Sequence, residues 1–388
     1  RGRARVALLL LAVGVGVADG FVVSAPVGRV SLPGMLAGVR FGPSKLTSRP
    51  VPSAMLRYPL SRRHQSSDAS TPSPVNAKRS NFLVLVLYFA AWYALNVGYN
   101  ITNKQVLNAF PMYATTAALQ LLIGWFWFIP QWIAGMRPVP KPTDRNLRAL
   151  QQVSLLHGAG HLVTVLSMGL GSVSFVHVVK ALEPVFAAAI SAAVMRKAMA
   201  WPVYLSLLPI CGGVAVASAG ELSFTWGCFG TALMSNAMFA SRAVYSKMIL
   251  GGRDQGDGMD SANTFAVITM LSTVFCVAAA LLLEGPRIQP AWAAAVSAPG
   301  MSSAILARTL AASGLFLYTY NEFAFKVLDL VSPVAQAVGN TVKRVVILVA
   351  TSLAFATPMT PVGIAGSSIA LVGVLVYSLV QQAYEKKK

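Results

Sequence analysis

Acidic residues are scarce in this 388-residue chain, which has twelve Asp and Glu against 31 Lys and Arg. All charged residues together make up 11%, where a soluble domain carries about 25%, so water is excluded as the chain's only solvent. Cysteine is scarcer still. Cys211, Cys228 and Cys276 are scattered through apolar runs, which excludes a disulfide framework and any cysteine-based metal spacing. They read as small core residues. No Gly-rich phosphate loop, nucleophile–base pair or metal-ligand cluster stands out, so neither a cofactor nor enzymatic chemistry is expected. What fills the chain is apolar: 55% hydrophobic residues and a mean hydropathy of +0.62.

The formal net charge of +19 raises nucleic acid or an anionic membrane surface as a partner. Its distribution argues against nucleic acid. Residues 1–80 carry twelve bases and the two acids Asp19 and Asp68, 12 − 2 = +10, leaving +9 for the rest. Half the excess therefore sits in a leader with no core-forming pattern. Arg1, Arg3 and Arg5 precede the apolar run 6–17 and the small residues Ala18 and Gly20, the layout of a signal peptide over 1–20. Residues 21–80 are basic, Ser/Pro-rich and acid-poor, which is expected of a disordered transit peptide. A signal followed directly by a transit segment, with Phe21 at the junction, resembles the bipartite leader of plastids acquired by secondary endosymbiosis. A basic tail on a secretory-pathway protein is the alternative.

From Asn81 the text divides into about ten apolar segments, each long enough for a bilayer span of roughly 20 residues. Their bounds are 82–103, 111–135, 148–170, 172–195, 201–219, 224–248, 262–284, 303–325, 332–356 and 361–381. Pro138, Pro140 and Pro142, Gly251-Gly252, Gly285-Pro286, and Pro358 with Pro361 punctuate them. An even count leaves both ends on one side. That side collects Lys78, Arg79, Arg137, Lys141, Arg145, Arg148, Arg196, Lys197, Arg253, Lys326 and Lys386–Lys388; the other holds little beyond Lys104, Arg287 and Arg308. This is the asymmetry of the positive-inside rule. By bacterial analogy the basic side faces the plastid interior.

The fourth and fifth spans resemble the ninth and tenth. Ser174-Phe175-Val176 recurs as Ser332-Pro333-Val334, Pro202 as Pro361, and Gly213-Val214 with Val216 and Ser218 as Gly373-Val374 with Val376 and Ser378. The offsets are 158, 159 and 160, so the expected fold is an all-α polytopic membrane protein of two inverted five-helix repeats, halves 81–220 and 221–385. Inverted repeats characterise secondary transporters, whose substrate site lies near the midplane between the halves.

Several charges fall inside these apolar runs. Lys180 and Glu183 sit mid-way along the fourth span, one turn beyond His177; Lys343 and Arg344 sit in the middle of the ninth. A central Lys or Arg costs about 2.5–3.5 kcal/mol to insert, so each is expected to face a cavity or a partner. Lys180 and Glu183 could neutralise one another at i, i+3. Lys343 and Arg344 have no acid in their own span. Cations converging from both halves need an anion, and the simplest source is a cargo. A phosphate monoester, at about −1.5 to −2, suits two lysines and an arginine better than a monocarboxylate does. An empty cation-rich cavity should resist occlusion, which implies strict exchange.

These residues, taken together, resemble the plastidic phosphate translocator family of the drug/metabolite transporter superfamily. The resemblance covers about Asn81 to Tyr384. It is carried by Trp92-Tyr93-Ala94-Leu95-Asn96 with Asn100-Ile101-Thr102-Asn103-Lys104 in the first span, and by Val173-Ser174-Phe175-Val176-His177 with Lys180-Ala181-Leu182-Glu183-Pro184 in the fourth. Ser235-Asn236, Phe239, Arg242 and Ser246-Lys247 match the sixth, and Tyr320-Asn321 with Val338-Gly339-Asn340 and Lys343-Arg344-Val345 the eighth and ninth. The resemblance implies ten helices, alternating access, and exchange of inorganic phosphate for a phosphorylated C3, C5 or C6 compound. It implies that Lys180, Lys343 and Arg344 hold the phosphate and that His161, Thr164 and Tyr320 contact phosphate or carbon skeleton. Phe239 and Arg242 would lie near the cavity, and Glu183 would gate it or compensate its charge. Lys104 and Lys247 match the pattern without an assigned contact.

The subtype signals divide. His161 resembles the triose-, glucose- and pentose-phosphate branches, and Lys180-Ala181-Leu182-Glu183-Pro184 the triose-phosphate branch. Ser332-Pro333-Val334 leans toward the phosphoenolpyruvate branch, and Glu322 stands where the plant pattern has Gln. Triose phosphate or 3-phosphoglycerate is the expected cargo, with phosphoenolpyruvate next. A nucleotide-sugar transporter would share the fold but needs a larger cavity. An embedded enzyme would need more interior acids, and a receptor or scaffold predicts no flux. The oligomeric state stays open.

Overall fold

The computed structural model describes residues 74–196, 199–250, 256–331 and 333–385. The expected signal peptide and most of the expected transit segment lie outside these residues. The end of that segment does not: α1 (Pro74–Ala109) begins inside the stretch expected to be disordered, with Pro74 pre-setting φ for the first turn.

Among the described residues the chain makes ten helical passages. The first three are α1, α2 (Tyr113–Ile133) and α3 (Asp144–Leu170). The fourth is α4 (Val173–Val179), a 3₁₀ turn (Lys180–Leu182) and α5 (Glu183–Met195). The fifth is α6 (Trp201–Leu205) with α7 (Leu208–Ala219). The others are α8 (Trp226–Leu250), α9 (Ser261–Val296), α10 (Ser303–Leu330), α11 (Pro333–Ala354) and α12 (Pro361–Glu385). Eight of the ten are long and apolar enough to cross a membrane; α8 and α10 fall short of that apolarity because they carry polar side chains such as Asn236, Arg242, Asn321 and Glu322. A two-residue ladder pairs Lys141–Pro142 with Gly256–Asp257.

Two passages break where proline dictates. A proline donates no backbone hydrogen bond and crowds the carbonyl four residues back. Pro184 therefore forces the fourth passage through the 3₁₀ turn at Lys180, and Pro209 separates α6 from α7. The freed carbonyl of Val179 accepts instead from Asn236 Nδ2 at 2.8 Å. Gly285-Pro286, which read as a break, does not end the seventh passage: α9 runs through Pro286 and Pro290 to Val296. At about 54 Å it is longer than a bilayer's hydrocarbon core.

The loops alternate as the positive-inside count requires. Thr360 Oγ1 donates to Gly220 O at 2.7 Å, joining the loops before α8 and α12. Lys104 Nζ donates to the carbonyls of Met168 and Gly171 at 2.8 and 2.9 Å, so the cation caps the C-terminus of α3. At the other end Arg137, after α2, pairs with Glu322 of α10 at 3.3 Å, and Glu322 pairs with Lys326 at 2.8 Å.

The two halves meet along matched helices: the second passage touches the seventh, the fourth the ninth, and the fifth the tenth. Where α7 crosses α12, a Cβ on Gly213 would strike the backbone of Ala370, and one on Gly373 would strike Ile210. The repeat offset of 160 maps the first contact onto the second. Gly220 meanwhile lies beside Gly363 and Ala217 beside Gly366, so one number rises as the other falls. The helices run antiparallel, as an inverted repeat demands. Small residues let the backbones approach closely where apolar lipid offers no hydrophobic driving force. Large apolar side chains face outward, Leu282 being 84% exposed and Ile133 82%; in a bilayer these meet lipid.

Candidate functional site

A cavity of about 610 Å³ lies between the halves. An imidazole and an amide bound its inner end, and hydroxyls beyond it tie the passages together. Ser174 Oγ lies 3.1 Å from both Thr351 Oγ1 and Ser352 Oγ, bridging the fourth and ninth passages. His177 Nε2 lies 2.7 Å from Asn100 Oδ1, bridging the fourth and first. From there the lining extends to Ser191, Met199, Gln336 and Gln381, at the helix ends nearest the Arg137–Glu322–Lys326 cluster. The cavity therefore opens toward the basic end.

Lys180, Lys343, Arg344, His161, Thr164, Tyr320, Phe239, Arg242 and Glu183 all line this one cavity. They come from five passages. The 3₁₀ turn presents Lys180 at the point where its helix is interrupted, and Lys180 Nζ donates to Ser235 Oγ at 2.8 Å and Thr164 Oγ1 at 3.1 Å. Thr164 and His161 stand one turn apart on α3. The Cβ that Gly160 lacks would press on Phe239, so the glycine admits that ring between α3 and α8. Lys343 Nζ lies 4.8 Å from the centre of the Trp92 indole. Tyr320 packs on Tyr99 at 5.6 Å.

Glu183 does not take the local partner that its spacing offered. It does not pair with Lys180 at i, i+3; its Oε2 meets Arg344 Nη2 of the other half at 3.2 Å. The serine and threonine hydroxyls take Lys180 instead, and the guanidinium reaches across to the carboxylate. Arg344 is thus partly neutralised before any ligand arrives, which corrects the expectation that these cations take their anion from the cargo alone. The balance remains positive: four cationic side chains line the cavity with Glu183 as the lining acid.

The lining also includes residues to which sequence reasoning gave no role, among them Asn96, Tyr99, Asn100, His157, Gln336 and Asn340. His157 had a readable signal: it precedes His161 by four, so both project from one face of α3. The hydroxyl pair under Lys180 had none, because Thr164 and Ser235 are 71 residues apart.

Residues 83–378 match the profile of the Triose-phosphate Transporter family. The chain belongs to that family. Among curated relatives, it is 35% identical over 363 residues to the chloroplastic triose phosphate/phosphate translocator of Flaveria pringlei, covering 93% of this chain and 86% of that protein. It is 36% identical over 301 residues to the chloroplastic phosphoenolpyruvate/phosphate translocator 2 of Arabidopsis thaliana, covering 77% of each. With the chloroplastic glucose-6-phosphate/phosphate translocator 2 of Arabidopsis thaliana it shares 35% over 322 residues, 81% of each. These family members differ in the organic phosphate they are named for and share inorganic phosphate.

Proposed function

We propose that this chain is an antiporter that exchanges inorganic phosphate for a small phosphorylated metabolite across a plastid envelope membrane by alternating access. The cargo we assign first is triose phosphate or 3-phosphoglycerate. The observation that carries this reading is the convergence of Lys180 from one repeat with Lys343 and Arg344 from the other in a single cavity. The phosphate-exchanging names of the relatives support it, and a volume of about 610 Å³ falls within the usual range for small-ligand pockets. Lys180, Lys343 and Arg344 would grip the phosphate, with His161, Thr164 and Tyr320 around it. His161 and the Lys180–Pro184 text favour the triose-phosphate branch; Ser332-Pro333-Val334 keeps phosphoenolpyruvate as the second reading. The chloroplastic relatives and the apolar passages place it as a multi-pass plastid membrane protein. The inner envelope membrane is the one we assign, and the bipartite leader read in the sequence supports a secondary plastid.

The test loads liposomes with labelled phosphate and offers dihydroxyacetone phosphate, 3-phosphoglycerate, phosphoenolpyruvate and glucose 6-phosphate outside. The two C3 compounds named first should drive the fastest exchange. Lys343→Ala should insert normally and lose exchange about a hundredfold, equivalent to about 2.8 kcal/mol. Exchange at the unmodified rate would remove Lys343 from the phosphate site.

A further inference from the structure

Two guanidinium groups line the cavity and they are held differently. Arg344 meets Glu183, whereas Arg242 meets no carboxylate among the described residues and donates from Nη1 to His157 Nδ1 at 2.7 Å. Arginine offers donors alone, so Nδ1 must supply the lone pair and the ring proton sits on Nε2. The imidazole is buried and clamped edge-on by Phe239 at 5.9 Å and Phe265 at 5.7 Å. It cannot turn away without displacing an aromatic ring. Phe239 also packs against Lys180 Nζ at 4.8 Å and the Arg242 guanidinium at 5.7 Å from its centroid. The ring attracts both cations. Lys180 is held at Ser235 and Arg242 at His157, and Ser235 precedes Arg242 by seven residues on α8, so the two cations reach the cavity at different levels of that helix.

Such an arrangement fixes Arg242 in direction as well as in place. One N–H is committed to His157 and the guanidinium carbon lies 5.7 Å from the Phe239 ring centre, while Arg242 lines the cavity with donors to spare. Lys180, held at Ser235 about two turns earlier on α8, belongs to the cluster assigned to phosphate. Arg242 therefore occupies a second pole of the cavity, suited to a carboxylate, carbonyl or hydroxyl that an organic phosphate carries away from its phosphoryl group. Inorganic phosphate has no such end.

We propose that His157 is a positioning residue that aims the Arg242 guanidinium at the non-phosphate end of an organic cargo, and so sets the preference for organic over inorganic phosphate. This rests on reading the cavity as a phosphate site, and the test separates the two. Phosphate–phosphate exchange and exchange of internal phosphate for external 3-phosphoglycerate are measured on the full chain in liposomes. His157→Ala should raise the ratio of the KM for 3-phosphoglycerate to the KM for phosphate about tenfold, with kcat changing less than KM. His157→Asn, whose Oδ1 takes the place of Nδ1, should bring the ratio back to within about threefold. His157→Gln, whose amide reaches where Nε2 stands, should not. Arg242→Ala should reproduce the tenfold shift, and adding His157→Ala to it should change the ratio no further.

An unchanged ratio in His157→Ala overturns the proposal, as does an equal effect of Asn and Gln. If His157→Ala does not insert, the comparison of Asn with Gln decides alone. Phosphate–phosphate exchange that survives Lys343→Ala would instead overturn the phosphate reading of the cavity, whatever the His157 variants do.

Discussion

Each cation in the cavity has a different substitute for water. Lys180 has two hydroxyls, Lys343 an indole face, Arg242 an imidazole nitrogen and Arg344 a carboxylate. Only the last carries a full opposing charge, and it is the one a phosphate dianion must compete with. On the proposed reading, Glu183→Gln removes that competitor without removing bulk. Phosphate should then bind about tenfold tighter, about 1.4 kcal/mol, while exchange at saturation slows because the ligand is released less readily. Equilibrium binding of labelled phosphate to purified protein measures the first effect and vesicle exchange the second. Weaker binding in Glu183→Gln would show that the carboxylate organises Arg344 and does not compete for it. At this scale the sequence exposed the cations, because charge inside an apolar run is improbable without a reason. It hid their partners: Glu183 meets Arg344 across 161 positions, and no local spacing encodes such a contact.

Among the elements, the ten passages were readable from the apolar runs, and the expected duplication rested on small residues and prolines recurring at offsets of 158–160. Gly213 and Gly373 prove to be crossing points of α7 and α12. The internal breaks were less readable. Pro184 and Pro209 were visible, yet a proline in a long apolar run can either kink or end a helix, and packing decides which. The inverted repeat also indicates how the open end closes. Ser174 and Ser352 hold the fourth and ninth passages together at the closed end, and the offset of 158 carries them to sequence positions 332 and 194. One turn further in stand Gln336 and Ser191, both lining the open mouth. A Ser191→Cys/Gln336→Cys pair should therefore form a disulfide when the basic end shuts, abolish exchange, and recover it with reductant. Ser174→Cys/Ser352→Cys should cross-link with the basic end open. If the Ser191/Gln336 pair never cross-links while transport continues, the two ends do not exchange roles as the repeat predicts.

For the molecule as a whole, the decisive quantity is the charge enclosed when both ends are shut. Lys180, Lys343, Arg344 and Arg242 against Glu183 give 4 − 1 = +3 in the empty cavity with its histidines neutral. Closing the mouth removes the water that screens those charges, and like charges interact far more strongly as the local dielectric falls. A bound phosphate monoester, at about −1.5 to −2, cancels roughly half to two-thirds of the excess. Inorganic and organic phosphates supply the same cancellation, so either should license the passage in either direction, and the empty carrier should be held back. Vesicles loaded with labelled phosphate should leak it at about 1% or less of the exchange rate when the outside holds no counter-substrate. Lactate, whose single charge leaves most of the excess in place, should not stimulate release. Efflux into buffer at a rate comparable with exchange would mean that the empty cavity occludes freely, and the enclosed charge would then not be what couples the two fluxes.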